Sequence, residues 1–231
     1  INNLGEVIKN YGYKRVLFVY GGGSIKKLGL YDKVIKSLND YDISFVEEGG
    51  VEPNPKVSFV RNVLNKNHEF DLILAVGGGS VIDTAKSIAV SYKTGVDPWK
   101  YNSHEVVPVK AVPVGVVLTI SAAGSEMSSS CVITNEEINV KQGFNSEVVR
   151  PLFAVMNAEF TFSVNKYQTA CGIIDIMMHT LERFISSEES MLADEFAIDL
   201  VLLGHSHYYT VTNVLYNGKT VSDYSETMID P

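Results

Sequence analysis

The sequence predicts an α/β fold in which a mostly parallel sheet carries helices on both faces. Apolar, β-rich segments alternate with segments of helical spacing between residues 14 and 119, which is the order that such a sheet requires. The segment "FDLILAV" (70–76) runs on in apolar residues, as a strand buried on both faces should. Two predicted strands end in "GGGS", and ligands of open parallel sheets bind at the carboxyl ends of the strands.

The strands and helices of this sheet follow one another along the chain. The predicted strands span residues 14–20, 43–50, 70–76 and 112–119. Apolar residues at helical spacing predict helices over 31–40 and 54–67, and a further helix follows the second glycine cluster to about residue 90. Asn54 is expected to cap the helix 54–67 at its N-terminus.

The pattern changes after residue 130. The segment "CVITNEEINVKQGF" (131–144) is typical of a hairpin or a pair of short antiparallel strands, and "PLFAVMN" (151–157) predicts one more strand. From Tyr167 to Ile185 the sequence predicts a long helix. This helix is apolar on most sides, so we expect it to be buried.

Composition argues against several classes of protein. The 231 residues are 45% hydrophobic and 20% charged, as in ordinary globular domains. The net charge of -8 argues against a nucleic-acid partner, because contacts to phosphate dominate that affinity. Cys131 and Cys171 form no CxxC pair, so neither a disulfide scaffold nor a zinc finger is indicated. No apolar run reaches about 18 residues and no signal peptide is recognisable, so we expect a cytoplasmic protein without a membrane span.

The two glycine clusters (21–24 and 77–80) predict a site for a phosphate group. A strand that runs through glycines into a helix leaves unpaired N–H groups at the helix start, where the helix dipole adds positive potential. Ser80 is expected to cap that helix or to donate to a phosphate. Neither cluster fits GxGxxG or GxxxxGK[ST], the two common phosphate loops. Either cluster taken singly is also explained as a plain turn, and Asp83 as a first-turn residue that favours the helix dipole.

The first glycine cluster carries a prediction about the nucleotide. Sites that prefer NAD commonly place a carboxylate near the end of an early strand, where it binds the ribose 2′-hydroxyl. Here no acid follows Tyr20, whereas Lys26 and Lys27 lie close in sequence. A 2′-phosphate would suit such a site, so the sequence predicts NADP rather than NAD. The alternative is that both lysines only form a solvated helix face.

Four blocks of sequence then occur in order: "YGGGSIKKLGLYDKV", "GGGSVIDTAKSIA", "GVVLTISAAGSEMSSSCVITNEE" and "GIIDIMMHTLERF". Together they resemble the iron-containing alcohol dehydrogenase family, in particular its butanol dehydrogenase-like branch, over residues 1–197. The resemblance implies a Rossmann-like dinucleotide-binding domain over 1–160 and the beginning of an all-helical metal-binding domain over 161–197. Residues 198–231 do not match, so we expect the helical domain to be truncated.

The resemblance also implies contacts to an NADP cofactor, with NAD as the alternative. The pyrophosphate would be held by Gly78, Gly79 and Ser80. The other implied contacts are Gly22, Gly23 and Ser24 at the adenosine 2′-phosphate with Lys141 nearby, Asp83 in the following helix, and Thr119 and Ser121 beside the nicotinamide.

Asp175 and His179 match the first two ligands of the family's divalent metal ion, which would be Fe²⁺, or alternatively Zn²⁺ or another divalent ion. They stand at i and i+4, so both project from one helix face and can share an ion. Without the resemblance, a buried, hydrogen-bonded histidine is the commoner explanation of such a pair. The resemblance implies a metal that acts as a Lewis acid and a hydride transfer to or from the nicotinamide, with no side-chain nucleophile. Ser125 and Glu126 are interpreted as structural, or as residues that support those in contact with the cofactor or metal, and not as catalytic.

The tail is similar to a different family. Its "GHSH" after an apolar run resembles the late metal-binding segment of calcineurin-like metallophosphoesterases, with Gly204, His205 and His207 at the matching positions. The other blocks of that family are absent. We consider a chimeric sequence, a dehydrogenase with an unrelated end, and a fold in which His205 and His207 complete the metal site.

The sequence therefore predicts an NADP- and metal-dependent alcohol dehydrogenase or aldehyde reductase for primary alcohols, present as an incomplete chain. A homodimer is the expected assembly. The alternatives are a nucleotide-binding module without catalysis, a related lyase or glycerol-1-phosphate type dehydrogenase, and a metallophosphoesterase-like fragment that rests on the tail alone.

Overall fold

The computed structural model describes residues 1–185, residue 191, and the pairs 215–216 and 219–220. The chain divides into two units, Ile1–Ile173 and Ile174–Pro231, which are described separately below. The strands are β1 (Arg15–Gly21), β2 (Ser44–Val51), β3 (Leu72–Gly77), β4 (Val114–Leu118), β5 (Ser130–Asn135), β6 (Val140–Asn145), β7 (Phe153–Met156), β8 (Leu215–Tyr216) and β9 (Lys219–Thr220).

The helices alternate with these strands as far as β4. They are α1 (Leu4–Asn10), α2 (Ser24–Lys27), α3 (Leu30–Asp40), α4 (Val57–Asn65), α5 (Gly79–Thr94), α6 (Trp99–Asn102) and α7 (Lys166–Phe184), with 3₁₀ turns at Glu147–Val149 and Ala158–Thr161. In the described part of the chain, no helix combines the length and the apolarity that a membrane span would need.

The first unit contains a five-stranded sheet in the order β2-β1-β3-β4-β7, and each neighbouring pair is parallel. The predicted α/β class with a mostly parallel sheet is therefore confirmed. The chain adds β2 on one side of β1 and then β3 on the other, so the strand order reverses between β1 and β3. In open α/β sheets, ligands bind at the carboxyl edge of such a switch point.

Helices cover both faces of this sheet, as predicted. Successive side chains of a strand point to opposite faces, so each central strand supplies two cores. Leu17 and Val19 of β1 belong to the core beneath helices α4 and α5. Phe18 and Tyr20 belong to the core beneath helices α1 and α3. All six residues of β3 are buried, which agrees with its apolar sequence.

Helix α4 begins later than predicted, and Asn54 does not cap it. The residue before the helix is Lys56, in extended backbone conformation and without a side-chain cap. Asn54 instead adopts a left-handed conformation with φ 58°, and its Oδ1 accepts a hydrogen bond from Lys141 Nζ at 2.9 Å. A short asparagine side chain tolerates this backbone conformation, so Asn54 lies in the turn before the helix.

The hairpin predicted around residues 130–144 is present as the antiparallel pair β5 and β6. Its strand β5 is tied to the segment before α4, because Thr134 N donates to Pro55 O at 2.8 Å. In the tail, the two-residue strands β8 and β9 pair antiparallel.

Helix α7 has the predicted position but not the predicted burial. Gly172 is its one buried residue, whereas Ile174 is 58% exposed and Met178 is 56% exposed. The expectation of a buried helix was therefore wrong for the described residues. An apolar sequence indicates which side chains of a helix favour burial, but whether they are buried depends on the elements packed around the helix.

Candidate functional site

The glycine-rich ends of β1 and β3 lie side by side at the switch point. These strands are paired up to Tyr20 and Val76, so Gly21 and Gly77 both follow at the carboxyl edge. A Cβ on Gly77 would lie only 2.6 Å from Val81 Cγ2, and one on Gly21 would lie 3.8 Å from the same atom. The absence of side chains on the strand ends thus lets the first turn of α5 pack directly onto the sheet edge.

The start of helix α5 presents backbone N–H groups to this edge. Gly78 precedes the helix in extended conformation, and the first helical hydrogen bonds run from Val81 N and Ile82 N to Gly78 O. The N–H groups of Gly79 and Ser80 stand ahead of these bonds, as expected where a helix start binds an anion. Ser80 lies inside the first turn, so the expected role as helix cap was wrong. Its hydroxyl remains a candidate phosphate donor.

The first glycine cluster has room around it. A Cβ on Gly22 or on Gly23 would meet no atom within 4 Å. Ser24 is exposed and begins the short helix α2. The space beside these residues fits the prediction that they face part of a ligand, which stays a prediction.

An aromatic cluster underlies this loop, and sequence reasoning missed its acidic member. Glu47 of β2 accepts hydrogen bonds from the hydroxyls of Tyr20 at 3.0 Å and Tyr31 at 2.8 Å. Burial and Glu47 raise the pKa of Tyr20 to about 12. Lys26 Nζ lies 4.7 Å from the ring centroid of Tyr31 and 5.4 Å from that of Tyr20, within reach of a cation–π interaction. A carboxylate is therefore close to the end of β1, contrary to expectation, and the rings hold Lys26.

A buried polar cluster joins helix α5 to the segment after β4. Asp83 accepts a hydrogen bond from Ser125 Oγ at 2.7 Å and one from Val132 N at 3.2 Å. Burial raises the pKa of Asp83, although both donors and Lys86 oppose this. Both carboxylate oxygens are thus engaged within the protein, and a contact of Asp83 to a cofactor stays a prediction. Ser125 has a structural role.

Lys86 is the central member of this cluster. Its side chain is fully buried, and Nζ donates to the backbone oxygens of Ser125 at 2.7 Å, Ser130 at 2.8 Å and Ser128 at 2.9 Å. Burial lowers the pKa of Lys86, and the nearby Asp83 opposes that shift. The three carbonyls take up the three donors of an ammonium group.

The end of β4 completes the edge of the sheet. Thr119 N donates to Gly77 O at 3.1 Å, which places Thr119 beside the second glycine cluster. The next residue, Ile120, covers Gly78, where a Cβ would lie 2.5 Å from Ile120 Cγ2. Ser121 is exposed, and its carbonyl oxygen would be 2.9 Å from a Cβ on Gly172. The structure therefore places Thr119 beside Gly77, the first residue of the second glycine cluster, and a contact of Thr119 or Ser121 to a nicotinamide stays a prediction.

Lys141 extends from the hairpin rather than from the sheet. It is exposed on β6, and Asn54 holds its ammonium group in the turn after β2. Because β2 is the neighbour of β1, this turn follows the strand next to the first glycine cluster. A contact of Lys141 to a 2′-phosphate stays a prediction.

The predicted metal ligands occur as a pair in the second unit. His179 Nε2 lies 3.7 Å from Asp175 Oδ1, and both side chains are about half exposed. Carboxylate and imidazole suit Fe²⁺ or Zn²⁺, so both residues fit as ligands of one ion. Within the described residues, no group of three or more histidine, cysteine, aspartate or glutamate side chains could hold a metal. Gly204, His205 and His207 lie outside the described residues.

Comparison with known proteins identifies the family. A sequence profile of the iron-containing alcohol dehydrogenases matches residues 1–158. The chain belongs to the iron-containing alcohol dehydrogenase family. This confirms the resemblance drawn from the four sequence blocks.

Relatives within the family differ in the cofactor that their names carry. The NADH-dependent butanol dehydrogenase A of Clostridium acetobutylicum is 42% identical over 204 residues, which cover 87% of this chain and 52% of that protein. The NADPH-dependent aldehyde reductase YqhD of Escherichia coli is 38% identical over 194 residues, which cover 81% of this chain and 50% of that protein. The chain spans about half the length of the curated relatives it matches.

Solved structures agree with this assignment. The crystal structure of NADH-dependent butanol dehydrogenase A from Thermotoga maritima superposes with a TM-score of 0.82 at 40% sequence identity. The match covers 85% of this chain and 50% of that one. The iron-containing alcohol dehydrogenase fold thus extends over most of the present chain.

Proposed function

We propose that this chain binds NADP and forms part of a metal-dependent alcohol dehydrogenase or aldehyde reductase that acts on primary alcohols. The observation that carries the proposal is the glycine corner at the switch point, where β1, β3 and the start of α5 meet. Membership of the iron-containing alcohol dehydrogenase family supports the reaction class. The names of the relatives support alcohols and aldehydes as substrates.

The chain's own residues bind and orient the cofactor. The N–H groups of Gly79 and Ser80 receive the pyrophosphate, because they are unpaired helix-start donors with favourable dipole potential. Gly77 and Gly78 let this helix start approach the strand ends. Thr119 and Ser121 line the next strand end, beside the half of the dinucleotide that lies beyond the pyrophosphate. A nicotinamide supplies hydride chemistry when it is bound.

The preference for NADP rests on the first glycine cluster. Gly22, Gly23 and Ser24 leave open space for a 2′-phosphate, and the loop itself carries no carboxylate. Glu47 is the nearby acid, and its Oε2 already accepts hydrogen bonds from the hydroxyls of Tyr20 and Tyr31. Lys26 lies over the same rings and Lys141 already donates to Asn54, so Ser24 and Lys27 are the first candidates to contact the phosphate, with one further donor of the Lys141 ammonium group available from the hairpin. NAD is the alternative cofactor.

The metal site is proposed on Asp175 and His179. They supply two donors, whereas a catalytic site ordinarily has three or more protein ligands, so further ligands must join them. A divalent ion bound there supplies Lewis-acid chemistry. Asp175 provides one carboxylate donor and His179 provides one imidazole donor from the same helix face. The cytoplasmic location and a homodimer remain part of this proposal.

The decisive experiment separates cofactor binding from turnover. We would titrate the purified chain with NADPH and with NADH by fluorescence, and then measure butanal-dependent oxidation of NADPH with and without added ferrous iron. The proposal predicts tighter binding of NADPH and turnover that depends on iron. In the double variant Asp175→Asn, His179→Gln, turnover should be lost while NADPH binding is retained.

A nucleotide-binding module without catalysis is the second candidate. It is favoured by the metal site, which has only the Asp175 and His179 pair among the described residues. NADPH binding without iron-dependent turnover would support this second candidate. Failure to bind either dinucleotide would contradict both.

A further inference from the structure

The segment from Thr119 to Ser130 covers the start of helix α5 on the side of β4. Ile120 lies over Gly78, and Ser125 Cβ would be 3.9 Å from a Cβ on Gly79. The segment therefore borders the N–H groups of the proposed phosphate site. The first glycine cluster borders the same site from the side of β1, because β1 and β4 flank β3.

One buried charge fixes the path of this segment. Lys86 Nζ donates to three backbone oxygens that all belong to it, those of Ser125, Ser128 and Ser130. The ammonium group is fully buried, and a buried charge without such partners would be strongly disfavoured. The three carbonyls are therefore held within hydrogen-bond distance of one point. A second tie, from Ser125 Oγ to Asp83, fastens the same segment to α5.

A dinucleotide whose pyrophosphate sits on the start of α5 extends in two directions from the switch point. One half would then lie toward the first glycine cluster, and the other half toward the segment 119–130 that Lys86 fixes. We propose that Lys86 is a positioning residue, which keeps residues 119–130 preformed so that the half of the dinucleotide on the β4 side is bound in one orientation. This inference rests on the proposed binding of NADP.

The experiment compares a whole dinucleotide with one of its halves on the full chain. NADPH and adenosine 2′,5′-bisphosphate are titrated by calorimetry against the wild-type chain and the variant Lys86→Met. The dissociation constant of NADPH should rise about tenfold or more, whereas that of the bisphosphate should change by less than about twofold. The emission of bound NADPH should also move toward that of free NADPH, because the nicotinamide loses its fixed environment.

Two further variants keep the test independent of folding. Ser125→Ala removes the hydrogen bond to Asp83 without removing a charge. Like Lys86→Met, it should raise the dissociation constant of NADPH much more than that of the bisphosphate. Ser37→Ala is the matched control, since Ser37 is also buried and hydrogen-bonded, to Gly5 N and Asn2 O, but lies on α3. It should leave the affinity for both ligands unchanged.

The inference is overturned if Lys86→Met and Ser125→Ala lower the affinity for both ligands by the same factor, or lower the affinity for neither ligand. It is also overturned if Ser37→Ala lowers the affinity for NADPH as much as Ser125→Ala does, because general destabilisation of the protein would then explain the effect. A wild-type chain that binds neither ligand would contradict the proposed cofactor itself, which is a separate result.

Discussion

Val81 occupies the space that a side chain on Gly77 would need. A Cβ at Gly77 would lie 2.6 Å from Val81 Cγ2 and 2.9 Å from Val81 Cβ. The two residues belong to the end of β3 and the first turn of α5, so their contact sets how closely the helix start approaches the sheet. The same contact thus links the packing of the fold to the geometry of the proposed phosphate site.

The variant Gly77→Ala should therefore be destabilised and should bind NADPH more weakly. We expect a loss of about 1–3 kcal/mol in the free energy of unfolding, which is usual for overpacking in a tight interior. Urea unfolding and NADPH titration measure the two effects. Gly22→Ala is the control for the unfolding measurement alone, because a Cβ there meets no atom within 4 Å. Equal stability of Gly77→Ala and wild type would show that α5 can shift without cost.

The choice between NADP and NAD should respond to a single charge at Gly22. In Gly22→Asp the new carboxylate would repel a 2′-phosphate and could accept a hydrogen bond from a ribose 2′-hydroxyl. We expect the affinity for NADPH to fall about tenfold or more while that for NADH is maintained or increased. Gly22→Asn, of similar size but uncharged, is the control and should show a much smaller change. If both variants leave the ratio of the two affinities unchanged, the first glycine cluster does not face the ribose.

Local patterns account for what the sequence predicted correctly. The strands β1 to β4 and the helix α5 could be predicted from the sequence because apolar runs, helical spacing and glycine clusters are properties of neighbouring residues. The proximity of Asp175 and His179 could be predicted for the same reason, since residues at i and i+4 share a helix face. A parallel sheet places both glycine clusters at its carboxyl edge, whereas their side-by-side position depends on the strand order β2-β1-β3, which the sequence did not predict.

Contacts between distant residues account for what the sequence did not reveal. Tyr20 and Glu47 are 27 positions apart, so their hydrogen bond, which brings an acid near the end of β1, depends on the pairing of β1 with β2. Lys86 and Ser130 are 44 positions apart. A lysine three residues after Asp83 in an apolar helix was the signal available for the buried cluster, because an ammonium group there must find acceptors. Nothing local to Asn54 indicates its contact with Lys141.

The Tyr20 hydroxyl should stabilise the protein at neutral pH and lose that effect in alkali. Its pKa is raised to about 12 in the folded protein, above the ordinary value of about 10 for tyrosine. The folded state therefore binds the proton more tightly than the unfolded state does. The stabilisation is fully present below about pH 10 and is lost as the pH rises toward about 12.

The variant Tyr20→Phe tests whether the stabilisation decreases as the pH rises, because it removes the hydroxyl and keeps the ring near Lys26. At pH 8 the variant should be less stable than wild type by about 1 kcal/mol, the usual net value of a hydrogen bond, or somewhat more because the acceptor is charged. Urea unfolding between pH 8 and pH 11 should show this difference becoming smaller. In Glu47→Gln the alkaline loss of stability should still begin near pH 10 but should be smaller and end at lower pH, since Glu47 contributes to the raised pKa of Tyr20 in the folded protein. A difference that is the same at both ends of the pH range would contradict the assignment.

The exposed face of α7 should cause copies of the chain to associate. Ile174, Met178 and Leu181 stand at i, i+4 and i+7, so they form one stripe, and each is at least 36% exposed. Apolar stripes of this kind favour association, because burial of one such side chain contributes about 1.5–3 kcal/mol. In the double variant Ile174→Gln, Met178→Gln, sedimentation velocity should show association only at concentrations more than about tenfold higher than for wild type. Glu182→Gln, also on α7 but polar to begin with, should behave like wild type. Association that is unchanged in the double variant would place the contact between copies on another surface.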